Sequence, residues 1–299
     1  MLTIVINVVA TRFGMTEPRV VPMSGGSVNH TVCLDYGDRR IVLRVHRDPL
    51  RDSEFEKEAW CSAAAGNGGV RTPQVLDVGS VSGVGYAVQE FVDGIPAGPH
   101  GDVWATLGRW SVAIADLPLT NAPDSLFSRF GRDARVAWEA HVAYNYEQLG
   151  PDDPLLSRGV YPVRLGPALW DLNSSLVGAG FRFGLSHGDL TPRNVLIGVD
   201  GPTLIDWGSA TVGPIPYTEL LHLSDEQRSS DGPTDRDLAH YRGTAGLSAQ
   251  QCEATLTGMR LLRDLDLVRW AIDQRPDKIQ ELAANARATV AEIEDHIGW

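Results

Sequence analysis

His187-Gly188-Asp189-Leu190-Thr191-Pro192-Arg193-Asn194-Val195-Leu196-Ile197, followed by Thr203-Leu204-Ile205-Asp206-Trp207-Gly208, is the stretch of this 299-residue chain whose reading decides the fold. A loop presents Asp189 and, five residues later, Asn194; an apolar hairpin then returns the chain to Asp206 twelve residues on. Three oxygen-bearing side chains therefore converge. An isolated Asp or Asn in a loop is ordinarily a turn former. The joint spacing, the apolar strands around it and the His-Gly pair ahead of Asp189 leave that explanation insufficient for all three.

Magnesium is a hard cation that takes oxygen ligands from one or two carboxylates together with substrate phosphates, so Asp206 with Asn194 is a chemically sensible holder. Asp189 is left to accept a proton. Phosphoryl transfer asks a protein mainly to position a nucleophile and neutralise charge, and one carboxylate aimed at a substrate hydroxyl completes that minimum.

His187-Gly-Asp-x-x-x-x-Asn194 with Ile205-Asp206-Trp-Gly resembles the aminoglycoside phosphotransferase and choline kinase superfamily, relatives of the protein kinases. The resemblance, carried from about residue 20 to about residue 225, implies an α+β, protein-kinase-like bilobal fold. A small antiparallel β-sheet lobe with one main helix would precede a larger, mostly helical lobe. It also implies Asp189 as catalytic base, Asn194 and Asp206 as ligands of Mg2+, and ATP or GTP as co-substrate.

Working outward, residues 20 to 94 alternate as strands do at Val20 to Met23, Thr31 to Leu34, Ile41 to Val45, Gln74 to Val78 and Gly85 to Phe91. One helical stretch, Ser53 to Ala65, interrupts them and ends in Gly66-Asn67-Gly68-Gly69. Beyond Asp93-Gly94 the period turns helical, at Val103 to Asp116, Arg132 to Leu149 and Val163 to Val177, with two more helices in 248 to 297. The change of period puts a nucleotide-binding lobe in 1–94 and a catalytic and acceptor-binding lobe in 95–299.

Within the first lobe, Ser24-Gly25-Gly26-Ser27-Val28-Asn29 sits between two strands, where small residues let backbone amides approach phosphates; Ser24, Gly25, Gly26, Ser27 and Asn29 are its nucleotide-binding candidates. A Gly-Gly hairpin is also an ordinary turn. Arg44 on the third strand matches the phosphate-gripping Lys of relatives, and Arg can grip phosphate bidentately. Glu58 on the following helix matches that residue's ion-pair partner, with Glu54 and Glu56 as competitors. Gln89-Glu90-Phe91-Val92-Asp93-Gly94 resembles the interlobe hinge, where the backbone of Glu90 and Val92 would hydrogen-bond adenine.

The family pattern weakens elsewhere. Pro214 stands where relatives commonly carry an Asp, and Asp116-Leu117-Pro118 stands near the usual Leu-His. Neither departure touches the catalytic set.

Acidic residues crowd the stretch from Glu219 to Asp237, and Glu219, Asp225 and Glu226 are candidates for an acceptor site that would favour a cationic small molecule, as in polyamine-binding relatives. A solvated acidic loop explains them equally well. Trp138, Tyr144, Tyr146, Trp170 and Tyr217 are pocket candidates too, although aromatics at helical spacing usually pack in a core.

Composition bounds the alternatives. With 43% hydrophobic and 21% charged residues the chain is an ordinary globular protein, and a net charge of −12 with no basic block argues against a nucleic-acid partner. Cys33, Cys61 and Cys252 lack disulfide or zinc spacing and suit a reducing cytoplasm. The apolar run Leu2 to Ala10 is too short to span a membrane and reads as a packed first element. The expected activity is transfer of a γ-phosphoryl group to a hydroxyl of a small molecule, either an aminoglycoside-like antibiotic or a metabolic amino alcohol or sugar. A regulatory pseudokinase would lack one of Asp189, Asn194 and Asp206, and a metal-dependent hydrolase would leave the Gly-rich turn, Arg44 and the hinge without a role.

Overall fold

The structure, a computed structural model, describes residues 1–23, 29–47, 53–99, 102–228 and 232–297. Its chain forms two compact units, Met1–Leu126 with Gly184–Val212 and Phe127–Phe183 with Gly213–Trp299. The first therefore contains the whole 1–94 segment but extends to residue 126 and takes the stretch from His187 to Gly208 back from the later sequence.

In that unit, helix α1 (Leu2–Arg12) precedes strands β1 (Arg19–Pro22), β2 (Asn29–Tyr36) and β3 (Arg39–His46). Helix α2 (Ser53–Asn67) and strands β4 (Val75–Val81) and β5 (Val84–Glu90) follow. The five strands make one antiparallel sheet in the order β1-β2-β3-β5-β4. Alternation assigns its faces: Ile41, Leu43 and Val45 of β3 join Val32, Leu34, Val84, Tyr86 and Val88 in one buried cluster. Arg44, between them, belongs to the opposite face.

The apolar first element is a helix. Val5 and Val9, four residues apart, are fully buried against the sheet cluster, with Leu2 and Ile6 packed beside them. Arg12 pins its far end, donating to the Asp77 carboxylate and to Tyr86 Oη at 2.6 Å. The other face receives α2, whose first turn carries Glu54 and Glu56, a favourable placement against the helix dipole. The α2 residues Phe55, Ala59 and Ser62 line a small cavity with Arg44, Ala87 and Gln89 of the sheet.

Beyond β5 come β6 (Gly94–Pro96) and helix α3 (Val103–Ala115). After Gly184 the chain supplies β8 (Val195–Gly198) and β9 (Gly201–Leu204), and β6, β8 and β9 form a second antiparallel sheet. Gly94 pairs with Gly198, and a Cβ on Gly198 would approach Asp93 O to 2.6 Å, so the Asp93-Gly94 segment lies tight against the hairpin. This pairing draws the stretch that follows Gly184 into the first unit.

The second unit is helical: α4 (Ala134–Tyr146), α5 (Pro154–Ser157), α6 (Gly166–Ser174), α7 (Tyr217–Glu226), α8 (Asp235–Thr244), α9 (Ala249–Gln274) and α10 (Ile279–Ile297). Strands β7 (Arg182–Ser186) and β10 (Thr211–Ile215) each have residues in both units. Leu261, Leu265 and Val268 of α9 pack with Ala286, Val290 and Ile293 of α10 and with Leu155, Leu165 and Leu169. Arg269 is buried here in a bidentate pair with Asp153, at 2.7 and 2.9 Å, and Tyr161 donates to the same carboxylate. Among the described residues no helix is long and apolar enough to cross a membrane.

Candidate active site

The loop after β7 is shaped by Gly188. Its φ is +79° and a Cβ there would meet Ser209 O at 2.1 Å, so only glycine allows the close backbone approach. His187, fully buried, bonds Ile205 O through Nε2 at 3.0 Å and lies against the Trp207 ring at 4.6 Å between centroids. The His-Gly pair thus ties the Asp189 loop to the Asp206 segment.

Past Asp189 the chain makes one turn of 3-10 helix, Pro192–Asn194, and enters β8. The Asn194 amide nitrogen donates to Asp189 O at 2.8 Å and to Asp189 Oδ2 at 2.9 Å. Arg193 Nη2 donates to Asp189 Oδ1 at 2.5 Å, and Thr191 Oγ1 lies 3.5 Å from the same oxygen. Both oxygens of the carboxylate are therefore addressed by the residues that follow it.

The hairpin β8–β9 closes with Ile205 N donating to Asn194 O at 2.9 Å, which draws the two motif segments together. Asp206 follows with φ +64°, a left-handed conformation that costs a non-glycine residue energy and clusters at functional sites. Arg44 Nη2 donates to Asp206 Oδ1 at 3.3 Å while Nη1 donates to Glu58. Of the three acids considered as partners of Arg44, Glu58 makes the contact. Burial, chiefly, raises the Glu58 carboxyl to about 7, with Arg44 pulling the other way and Asp206 and Glu54 adding to the rise. Lys57, one residue earlier on α2, donates to Gly208 O at 2.6 Å and fixes the turn beyond Asp206.

The remaining candidates fall out unevenly. Ser24, Gly25, Gly26 and Ser27 lie outside the described residues. Asn29, 6% exposed, is engaged within the sheet: its Oδ1 bonds His46 Nδ1 at 2.9 Å, across the register pair Asn29–His46, and His46 stacks on Phe55. Glu90 ends β5, its N–H donating to Gln74 O at 2.8 Å. Residues 91–93, with Val92 half-buried, belong to no strand, and Arg40 fixes them by covering the Phe91 ring and pairing with Asp93 at 3.0 Å.

In the second unit Glu219, Asp225 and Glu226 all lie on α7. Asp225 is matched by two guanidiniums, Arg260 at 3.1 Å and Arg263, while Glu219 is 2% exposed and Glu226 lies 3.6 Å from His222. The neighbouring Asp237 closes a capping box with Thr234, and Asp235 accepts from Gln227. Much of the acidic excess is thus spent inside the unit. Of the aromatic candidates there, Trp138 packs edge-on to Phe181, Tyr217 also meets Phe181, and Tyr146 meets Trp170.

Sequence reasoning passed over Arg193 and Lys57. Arg193 carried a signal, an arginine four residues after a candidate base; Lys57 carried none, since its partner is a distant backbone carbonyl.

The donor chemistry fits a magnesium ion. The nitrogen of Asn194 is turned onto Asp189, which leaves Oδ1 as the atom that could bind a metal, and Asp206 offers a carboxylate that is half exposed. Hard oxygen donors of this number suit an ion that completes its shell with phosphates and water.

Comparison with known proteins agrees with this geometry. Residues 19–249 match the phosphotransferase enzyme family, APH. No curated protein matches the chain. Among solved structures, a thermostable mutant of aminoglycoside phosphotransferase APH(4)-Ia in a ternary complex with ADP and hygromycin B is 18% identical with a TM-score of 0.60, covering 95% of this chain and 97% of that one. Macrolide 2'-phosphotransferase MphH from Brachybacterium faecium is 18% identical at TM-score 0.61, covering 93% and 96%. A putative fructosamine-3-kinase from Haemophilus somnus 129PT is 14% identical at 0.56, covering 94% and 96%. With the protein-kinase-like fold in common and most of its length inside the family match, this chain belongs to the phosphotransferase enzyme family and is a small-molecule kinase.

Proposed function

We propose that the protein transfers the γ-phosphoryl group of ATP or GTP to a hydroxyl of an antibiotic or similar hydroxyl-rich small molecule. Asp189 takes the proton of the acceptor hydroxyl as its oxygen bonds to the γ-phosphorus. The bond from that phosphorus to the β–γ bridging oxygen breaks, and the nucleoside diphosphate leaves with the electron pair. Asn194 and Asp206 hold magnesium, which when bound neutralises phosphate charge. Arg44 grips phosphate from the sheet face, steadied by Glu58, and the backbone at Glu90 and Val92 meets the nucleotide base.

The observation that carries this reading is that all five residues fall in one compact unit, where Asn194 bonds Asp189, Arg44 bonds Asp206 and Glu58, and the Ile205 N–H bond to Asn194 O ties the two groups together. For the acceptor, the fold relatives bear the names of aminoglycoside, macrolide and fructosamine kinases, which supports a hydroxyl-bearing small molecule without favouring one class. The internal pairing of Asp225 and burial of Glu219 favour an acceptor recognised by more than positive charge, so neutral sugars and macrolides belong beside aminoglycosides and amino alcohols in the test. Nucleotide consumption across such a panel, with mass spectrometry for a gain of one phosphoryl group, decides it. A panel in which only amino alcohols or simple sugars gain phosphate would replace the antibiotic reading with a metabolic one.

Removing the phosphate grip gives a second test. A hydrogen bond to a charged group contributes about 1.5–3 kcal/mol, so Arg44→Ala should lower kcat/KM by about 10- to 100-fold through both a raised nucleotide KM and a lowered kcat. Arg44→Lys should recover part, since charge returns without the planar fork. Glu58, already raised to about 7, can take a proton when Arg44 is removed, so the fold should survive the change. Wild-type kinetics in Arg44→Ala would take the residue out of the phosphate site.

A further inference from the structure

The proposed base has a second tether that the phosphoryl-transfer chemistry above does not use. A carboxylate turns about its terminal torsion through a broad, roughly two-fold well that carries both oxygens together, so a hydrogen bond at each oxygen narrows the same well from its two sides. Asn194 holds Asp189 Oδ2 at 2.9 Å. Arg193 holds Oδ1 at 2.5 Å. The two restraints come from adjacent residues on one rigid piece, the single 3-10 turn that begins at Pro192. Proline fixes the backbone angle at that start, so the turn delivers the guanidinium four residues from the carboxylate it meets.

The pair is asymmetric in exposure. The Arg193 side chain is 56% exposed and that of Asp189 23%, so the guanidinium covers its partner from the solvent side. An ion pair this exposed contributes about 0–1 kcal/mol to folding. It has little value as a stabiliser, and its consequence falls on the geometry of the carboxylate.

We propose that Arg193 is a positioning residue for the phosphoryl-transfer reaction, clamping Asp189 Oδ1 so that the carboxylate meets the acceptor hydroxyl in one orientation. With Asn194 on the opposite oxygen, the arginine supplies the second restraint on the one torsion that sets both. An error of about 1 Å in placing a reacting group can cost on the order of 10²-fold in rate, which sets the scale of what the clamp protects.

This inference rests on the proposed activity, and its test separates the two. Wild type, Arg193→Ala and Arg193→Lys would be compared for phosphate transfer to whichever panel compound the wild type modifies, and for hydrolysis of MgATP with water as acceptor. In Arg193→Ala, kcat for transfer should fall about 10- to 100-fold. The nucleotide KM should stay within about twofold, because the proposed phosphate grip belongs to Arg44, and the melting temperature should hardly move, because the pair is exposed. Arg193→Lys should recover part of kcat, since a charged donor returns at a similar reach. A merely structural arginine would move melting temperature and every kinetic constant together. An active wild type with Arg193→Ala at the same kcat, or at a higher one because the arginine had been blocking the base, overturns the clamp alone. A wild type that phosphorylates nothing and hydrolyses no MgATP overturns the proposed activity and the clamp with it.

Discussion

Asp189→Asn should lower kcat by about 10²- to 10⁴-fold, the usual contribution of a general base, with nucleotide affinity unchanged. The amide keeps the size of the carboxylate and one acceptor oxygen, but it can neither take the acceptor's proton nor supply the charge that orients the nucleophile. Its immediate surroundings predict a local effect. The contact from Asn194 to the backbone Asp189 O at 2.8 Å does not depend on the Asp189 side chain, so the 3-10 turn and the Asn194 oxygen proposed to hold magnesium should stay in place. Arg193 would face an amide in place of a carboxylate, which weakens that pair without burying a charge. Isothermal titration with MgATP and steady-state kinetics on an accepted substrate measure the two halves separately. Turnover within a few-fold of wild type would remove the base assignment and revive the pseudokinase reading for this residue. Loss of nucleotide binding with the fold intact would move Asp189 among the metal ligands.

What could be read from the sequence divides along the range of the interactions involved. Asp189, Asn194 and Asp206 were legible because a single loop and hairpin bring them together, and every step of that geometry is local: a glycine at φ +79°, one 3-10 turn, one strand pair. Arg44 and Glu58 were legible through the resemblance to relatives, and the strand period agrees with it: an arginine in the middle of Ile41 to Val45 faces away from the apolar cluster. The choice of Glu58 over Glu54 and Glu56 needed the contact itself.

The rest depends on partners the sequence does not place side by side. Leu2 to Ala10 is a run of β-branched and apolar residues in which helix and strand periods are hard to separate. It becomes a helix because Val5 and Val9, one turn apart, can both be buried on the outer face of the sheet. Asn29 was assigned with the Gly-rich turn by adjacency, whereas the strand register sets it opposite His46. The acids from Glu219 on read equally as a site for a cationic acceptor or as a solvated loop, because the arginines that pair with Asp225 come from 35 and 38 residues away. A lobe boundary at residue 94 follows the change of period, yet β6 just beyond it pairs with β8 a hundred residues later and carries the chain onward into the same unit.

Asp206→Ala should abolish magnesium-dependent nucleotide binding and turnover together. The residue occupies a left-handed conformation, φ +64° and ψ 72°, at the entry to a one-turn helix. Such a conformation is held by its surroundings: Ile205 N is bonded to Asn194 O, Lys57 is bonded to Gly208 O, and Trp207 is buried beside His187. None of these contacts uses the Asp206 side chain. Alanine should therefore keep the turn, at a modest cost for its own left-handed backbone, while deleting the carboxylate that joins Asn194 in holding the metal. It also frees the Arg44 donor that now spans to Asp206 at 3.3 Å, which leaves the guanidinium to Glu58. The loss should thus be a loss of metal-dependent affinity with an intact fold. Titration of nucleotide with and without magnesium separates the two contributions: wild type should bind MgATP much more tightly than metal-free ATP, and the variant should bind both with the same weak affinity. A variant that keeps the magnesium-dependent gain and turns over normally would take Asp206 out of the site and leave the hairpin as scaffold alone.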